Sequence, residues 1–87
     1  MTYEIEIAEK LEKRLNKLSN KDKARILEKI DSLSENSRPE DCRKLQSRRK
    51  PSLYRVRSGV FRIVYSIVDH ILLLLVVDID HRKDVYR

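Results

Sequence analysis

The sequence predicts an α+β fold in which an N-terminal strand and a helical hairpin precede a small antiparallel-rich β-sheet, in the order β-α-α-β-β-β. In the first half of the chain, apolar residues recur at spacings of three and four, which is typical of amphipathic helices. In the second half, apolar and polar residues alternate as they do in strands. The chain has 87 residues, enough for one modest core, so we expect residues 1–87 to form a single domain.

The N-terminal segments account for the first strand and both helices. TYEIEI at residues 2–7 alternates apolar residues with glutamate, which predicts a half-buried strand. The apolar stripes of the two helices comprise Ala8, Leu11, Leu15 and Leu18, followed by Ile26, Leu27, Ile30 and Leu33. Ser19 or Asn20 is expected to cap the second helix, which should end near Glu35 because Pro39 cannot continue it. Each stripe is too short for a coiled coil.

Three strands are predicted in the second half of the chain, at about residues 53–57, 60–68 and 71–79, after a basic connector at residues 38–52. Ser58-Gly59 is the expected first turn because Gly59, the only glycine in the chain, accepts a positive φ. Asp69-His70 gives a weaker signal for the second turn. The helical hairpin is expected to cover one face of this sheet.

Positive charge is concentrated in one part of the chain. The net charge is +6, yet residues 1–37 carry eight basic and eight acidic side chains, and residues 63–87 carry three basic and four acidic ones. Residues 38–62 carry nine basic and two acidic side chains, which leaves a net charge of +7 in that stretch. Such a stretch predicts a polyanionic partner such as nucleic acid. The alternative is a solvated basic loop that only aids solubility.

Arginines are expected to cluster on one face of the predicted sheet. If both turns contain two residues, Arg55 lies opposite Arg62, and Arg57 lies on the same face. Across the second hairpin, the same count places Arg62 opposite Val77. Like charges at facing positions destabilise a sheet, so we interpret the cluster as a phosphate-binding site. The alternative is that the three side chains point into water beside acidic neighbours. Three basic residues of the connector are expected to extend this phosphate-binding surface: Arg48, Arg49 and Lys50.

An apolar patch is expected beyond the arginines on the same face, formed by Val64, Leu73, Leu75 and Val77. Soluble monomers rarely expose contiguous apolar patches larger than on the order of a few hundred Å². We therefore predict that a partner covers this patch with an amphipathic helix or an added strand. The alternative is that the first strand and its neighbours curl over the patch and hide it.

Several classes of protein and site are not indicated by the sequence. Cys42 is the only cysteine, so no internal disulfide is expected, and the reducing cytoplasm is the predicted location. The N-terminus MTYEIEIAEK lacks the basic and apolar regions of a signal peptide, and ILLLLVV at residues 71–77 is too short to span a membrane. Histidine, cysteine and carboxylate residues show no metal-ligand spacing, and no nucleophile motif occurs, so neither metal nor cofactor is expected.

The second half of the chain resembles a known family. LYRVRSGVFRIVYSIVDHILLLLVVDIDHRKDVYR, residues 53–87, resembles the C-terminal half of the RelE family of toxins from prokaryotic toxin–antitoxin pairs. KLQSRRKPSLYRVR, residues 44–57, is similar to the segment that leads into their hairpin, and the β-α-α-β-β-β order fits across the whole chain. The resemblance implies a cytosolic toxin that cuts messenger RNA in the ribosomal decoding site without metal. It also implies an antitoxin that wraps around the toxin as a helix or strand in a hetero-oligomer.

The resemblance also implies roles for particular residues. It implies that the scissile phosphate is bound by Arg55, Arg57 and Arg62. A basic residue after the last long strand is matched by Arg82, with His81 beside it, and a tyrosine linked to activation of the ribose 2′-hydroxyl is matched by Tyr86. Some relatives carry lysine where this chain has arginine on the second strand, so the charge is retained while proton donation is weakened.

The chemistry that these residues support follows from the substrate. RNA carries its own nucleophile, the 2′-hydroxyl, so cleavage needs alignment, charge stabilisation and proton transfer. Arginines can stabilise the pentavalent phosphorane, and Tyr86 needs adjacent positive charge to lower its pKa from about 10. Arg82 or His81 is expected to assist the departing 5′-oxygen, and histidine fits an acid better. The expected products are a 2′,3′-cyclic phosphate and a 5′-hydroxyl.

Two other functions are consistent with the same fold. One is that of the ParE toxins, which inhibit DNA gyrase without cutting nucleic acid; the other is a plain RNA-binding module. The presence of Arg62, Arg82 and Tyr86 together favours the nuclease, because gyrase inhibition has no need of that set.

Overall fold

Two helices and a five-stranded mixed sheet make up the computed structural model, which describes residues 2–45 and 52–81. In chain order the elements are β1 (Glu4–Ile7), α1 (Glu9–Asn16), α2 (Asn20–Glu35), β2 (Arg43–Lys44), β3 (Leu53–Ser58), β4 (Phe61–Val68) and β5 (Leu73–His81). The strand order is β1-β5-β4-β3-β2; β1 is parallel to β5, and the other pairs are antiparallel. The predicted α+β fold is confirmed.

The hydrophobic core lies between the helices and one face of the sheet. Its buried members from the helices are Leu11, Leu15, Ile26, Ile30 and Leu33, and those from the sheet are Val56, Phe61, Ile63, Tyr65, Ile67, Leu74, Val76 and Ile79. The helical residues follow the three- and four-residue spacing of the sequence, so one stripe of each helix is buried. Leu27 is an exception, because this member of the predicted stripe is exposed. Ser19 caps α2, because its hydroxyl accepts a hydrogen bond from the backbone N–H of Asp22 at 3.2 Å.

The short strand β2 was not predicted from the sequence, which indicated only a basic connector there. Arg43 lies opposite Arg55 and Lys44 lies opposite Tyr54. A strand of two residues is too short to show an alternation of apolar and polar residues, so sequence analysis does not detect it. It is a strand because it pairs with β3. This edge strand brings one more arginine onto the sheet.

The first hairpin turns one residue later than predicted. Its turn residues are Gly59 and Val60, so that Arg57 lies opposite Arg62. Gly59, with φ of 60°, occupies the first turn position, where a glycine accommodates the positive φ. The predicted pairing of Arg55 with Arg62 is therefore wrong: Arg55 lies opposite Val64. The shift moves each partner by two residues, so all of these side chains keep their predicted face.

The second connection is longer than the predicted Asp69-His70 turn. A 3₁₀ turn at Asp69–Ile71 is followed by Leu72 in the left-handed region with φ of 52°, and β5 starts at Leu73. The Asp69 carboxylate accepts hydrogen bonds from Tyr3 and Arg38, which tie this turn to the chain segments before β1 and after α2. The last strand therefore covers Leu73–His81 instead of the predicted residues 71–79.

A bulge interrupts the pairing of β4 with β5. Tyr65 lies opposite Val76 but Val64 lies opposite Asp78, so Val77 is the extra residue. An extra residue reverses the faces of all positions that follow it. Arg62 therefore lies opposite Asp80 rather than the predicted Val77.

The side chain of Tyr65 joins the sheet to the segment after α2. It is fully buried, and its hydroxyl donates a 2.8 Å hydrogen bond to the carbonyl oxygen of Ser37. Burial raises the pKa of Tyr65 well above its usual value, so this phenol is a permanent donor.

In the described ranges, no helix has both the length and the apolar character required to cross a membrane.

We expect Tyr65→Phe to lower the free energy of unfolding by about 1–2 kcal/mol, because the buried Ser37 carbonyl loses its donor. Tyr54→Phe is the matched control: the Tyr54 hydroxyl accepts a longer, 3.3 Å hydrogen bond from Arg38 in an exposed setting. Urea unfolding of both variants measures the difference. Equal losses in the two variants would contradict the role given to the Tyr65 hydroxyl.

Candidate functional site

Four arginines lie in two rows on the sheet face that is turned away from the helices. Arg43 is opposite Arg55 in one row, and Arg57 is opposite Arg62 in the other. Directly opposite residues share a face, and the alternate residues Val56 and Ile63 point into the helix-covered core. The predicted convergence of Arg55, Arg57 and Arg62 on one face is thus present, with different partners and with Arg43 added.

Three of these arginines border a cleft of about 310 Å³ at the β2 edge of the sheet. The cleft is lined by Asp41, Arg43, Arg55, Val56 and Arg57. The carboxylate of Asp41 is already occupied, because it accepts a 2.8 Å hydrogen bond from the ammonium of Lys29, which lowers the pKa of Asp41. Within residues 2–45 and 52–81, no carboxylate forms an ion pair with Arg43, Arg55 or Arg57. The cleft is therefore electropositive.

Arg62 differs from the other three because it has an internal counter-ion. Its Nη2 lies 3.5 Å from Oδ2 of Asp80, the residue opposite it on β5. Its Nε is buried and has no hydrogen-bond partner among the described residues. A buried donor without a partner is uncommon in folded proteins. The fold thus holds Arg62 in place without using all of its hydrogen-bonding capacity.

Asp80 belongs to an acidic pair near the C-terminal end of β5, beyond the residues that pair with β1. Arg14 of α1 donates to Asp78 at 3.0 Å and to the carbonyl oxygen of Ile79 at 2.7 Å, and it lies 3.8 Å from Asp80. Burial and a hydrogen bond with Asp78 raise the pKa of Asp80, whereas Arg62 opposes this rise. Burial also acts to raise the pKa of Asp78, but hydrogen bonds from Asp80, Arg14 and a backbone N–H outweigh it and lower that pKa.

The acidic pair was missed in the sequence, although the segment DID at residues 78–80 carried a signal. Two aspartates spaced by two residues lie on one face of a strand. The predicted register, without a bulge, assigned Asp78 to the core side of the sheet, where a charge is improbable, and the predicted strand ended before Asp80. Only the bulge at Val77 turns them toward the arginine face.

His81 lies on the helix-covered side of the sheet. It is opposite Phe61, and the two rings pack edge to face with centroids 5.2 Å apart. The structure therefore brings His81 to the same end of the sheet as Arg57 and Arg62 but not to their face. The remaining predicted site residues lie outside the described ranges: Arg48, Arg49, Lys50, Arg82 and Tyr86.

The predicted apolar patch is smaller than expected. Val64 is only 7% exposed, so the expectation that it is open to solvent is wrong. It lies on the central strand, with Arg55 opposite it on one side and Asp78 opposite it on the other. Leu73, Leu75 and Val77 are half-buried and retain apolar surface. Within the described ranges, no three His, Cys, Asp or Glu side chains form a group that could hold a metal ion.

Comparisons with known proteins bear on this site. The family model described as the ParE toxin of the type II toxin–antitoxin system parDE matches residues 5–86. A chain of the archaeal RelE–RelB complex from Pyrococcus horikoshii OT3 is 29% identical, with a TM-score of 0.84 over 94% of this chain and 97% of that chain. No curated protein matches the chain.

Two further solved structures share the fold. A chain of the RelBE2 toxin–antitoxin complex from Mycobacterium tuberculosis is 23% identical, with a TM-score of 0.78 over 94% of this chain and all of that chain (100%). The isolated RelE toxin of E. coli is 22% identical, with a TM-score of 0.72 over 99% of this chain and 92% of that chain. Because the family model spans nearly the whole chain and agrees with the fold, the protein belongs to the ParE toxin family of type II toxin–antitoxin systems, within the RelE/ParE superfamily.

Proposed function

We propose that this toxin is a ribosome-dependent endoribonuclease that cleaves messenger RNA, without metal, through attack by the RNA's own 2′-hydroxyl. The observation that supports the proposal most directly is the pair Arg57 and Arg62, which face each other on an open sheet surface. Two like charges at facing positions cost stability in the free protein, and the ion pair of Arg62 with Asp80 reduces this cost. A phosphate between the two guanidiniums removes that cost, because each can donate to its oxygens in a bidentate way.

In the proposed reaction, Arg57 and Arg62 bind the scissile phosphate and stabilise the charge of the phosphorane. Binding also aligns the 2′-oxygen, the phosphorus and the departing 5′-oxygen, which lowers the entropic cost of reaction. Tyr86 keeps the role that the family resemblance implies, activation of the 2′-hydroxyl. Arg82 keeps the role expected from the chemistry, assistance of the departing 5′-oxygen. The position of His81 against Phe61, on the other face, favours Arg82 over His81 in the second role.

We further propose that the antitoxin covers Leu73, Leu75 and Val77 with a helix or an added strand, with which the toxin forms a hetero-oligomer. These half-buried side chains lie on or beside the arginine face. The edge strand next to them is β1, in which Glu4 and Glu6 lie opposite Leu73 and Leu75. Several similar solved structures are RelE–RelB toxin–antitoxin complexes. The ribosome and messenger RNA are the other proposed partners, in the cytoplasm.

A second candidate function is inhibition of DNA gyrase without cleavage of nucleic acid. The observation that favours it is the family model, which is that of the ParE toxins. The electropositive cleft is compatible with this function too, because an acidic protein surface or DNA also attracts arginines.

We expect Arg57→Ala and Arg62→Ala each to lower the rate of messenger cleavage at least about 100-fold, because each removes a donor to the phosphorane. Arg25→Ala is the control, since Arg25 is an exposed arginine on α2 and its loss changes the net charge equally. Primer extension on messenger RNA from a reconstituted translation reaction measures cleavage. Undiminished cleavage by the Arg62 variant would refute the proposal that the arginines bind the scissile phosphate.

The two candidate functions are separated by the wild-type toxin itself. If messenger RNA on translating ribosomes stays intact while the toxin blocks supercoiling of plasmid DNA by gyrase, the nuclease proposal is wrong and the second candidate is supported. The nuclease proposal requires the opposite pattern, cleavage on the ribosome with gyrase unaffected.

Asp80 is expected to make binding of RNA depend on pH. Because the pKa of Asp80 is raised, protonation as pH falls removes a negative charge beside Arg62 earlier than for an ordinary aspartate. Affinity for single-stranded RNA should therefore increase as pH falls. The charged groups that face the Asp80 carboxyl are Asp78, Arg14 and Arg62. A partly exposed ion pair is worth up to about 1 kcal/mol, so Asp80→Asn should bind RNA more tightly at neutral pH by up to about fivefold.

Fluorescence anisotropy with labelled RNA across a pH series measures this effect. Asp80→Asn should show a flatter pH profile than the wild type, since it has no carboxylate to protonate. Asp31→Asn, an exposed change of the same charge on α2, should leave the profile unchanged. Identical profiles for the wild type and Asp80→Asn would show that Asp80 does not control Arg62.

A further inference from the structure

We propose that the toxin binds two successive phosphates of its substrate strand, and that Arg43 binds the second of them together with Arg55. This inference rests on the proposed function, because it takes the polyanion to be single-stranded RNA. Arg57 and Arg62 hold the scissile phosphate in that function. Arg43 is an additional substrate-binding residue, on a strand that the sequence did not reveal.

The register of the sheet determines the arrangement. Arg43 and Arg55 face each other, and Arg57 and Arg62 face each other, so the four guanidiniums form two facing pairs. The pairs share β3, where Arg55 and Arg57 are two residues, or about 7 Å, apart. Across the sheet, Arg43 on β2 and Arg62 on β4 are separated by two strand spacings, or about 10 Å. A strand that runs diagonally over this face meets the two pairs in succession.

The charges around Arg43 favour an anionic ligand rather than an internal partner. The cleft is bordered by Arg43, Arg55 and Arg57, and its one acidic residue, Asp41, is paired with Lys29. None of these three arginines has an ion pair within the part of the chain that the structure describes. Arg62, by contrast, has Asp80. The positive charge that has no counter-ion among the described residues thus lies on the β2 and β3 side of this face.

The two residues of β2 have opposite placements. Arg43 shares the arginine face with Arg55, whereas Lys44 lies opposite Tyr54, whose ring stacks on the core residue Tyr65 at 5.9 Å between centroids. Both side chains are exposed, and both lie on the same short element. Lys44 is therefore a matched control for Arg43, because its replacement removes the same charge from the same strand but from the other face.

The test compares Arg43→Gln with Lys44→Gln in NMR titrations. The probes are a dinucleotide and a trinucleotide of RNA without terminal phosphates, with one and two phosphates respectively, and 2′-O-methylated so that they cannot be cut. The wild type should bind the trinucleotide more tightly than the dinucleotide. Arg43→Gln should weaken trinucleotide binding about tenfold, the loss expected for a charge-assisted hydrogen bond, and should abolish that increment. Lys44→Gln should retain it.

A second measurement uses a longer labelled RNA in a salt series. Loss of one phosphate contact should reduce the slope of log affinity against log salt by about 0.7 for Arg43→Gln, with the slope of Lys44→Gln unchanged. The spectrum of each free variant reports whether it is folded. If both variants keep the increment and the slope, or lose them equally, the role of Arg43 is refuted. Because no step here involves cleavage, the result is independent of the ribosomal assay that tests the proposed function.

Discussion

Burial of alternate residues of β4 against the two helices is the constraint on which the rest of the structure depends. Phe61, Ile63, Tyr65 and Ile67 are all core residues, and they come from the central strand of the sheet. Since a strand presents successive side chains to opposite faces, this burial places Arg62 on the other face. Pairing with β3 then places Arg55 and Arg57 on that face as well. A one-residue slip would bury charge and expose the core, so the register is strongly specified.

The bulge at Val77 gives the same sheet its electrostatic asymmetry. By reversing the faces of the last residues of β5, it moves Asp78 and Asp80 toward the arginines and moves Ile79 and His81 to the core side. Arg62 therefore has a counter-ion while Arg43, Arg55 and Arg57 have none among the described residues. The positive charge at the β2 and β3 end of the face is thus left without an internal counter-ion among the described residues, whereas the charge of Arg62, next to β5, is partly balanced by Asp80.

Family membership and geometry contribute different parts of the functional argument. The family model and the shared fold establish a toxin of a type II toxin–antitoxin system. The arrangement of arginines in facing pairs is a property of this chain, and it supports a ligand with closely spaced negative charges. Neither the family nor the fold alone distinguishes a nuclease from a gyrase inhibitor, because function is carried by the site rather than by the fold.

The sequence by itself determined the order of every element except β2, the capped start of α2 at Ser19, the buried stripe of each helix and the face on which Arg55, Arg57 and Arg62 lie. These features follow from local periodicity and capping, which depend only on neighbouring residues. Tertiary structure decided that Arg57 rather than Arg55 faces Arg62, that β2 adds Arg43, and that Asp80 rather than Val77 accompanies Arg62. Each of these depends on turn position, strand pairing or a bulge, which are set by contacts between residues distant in the chain.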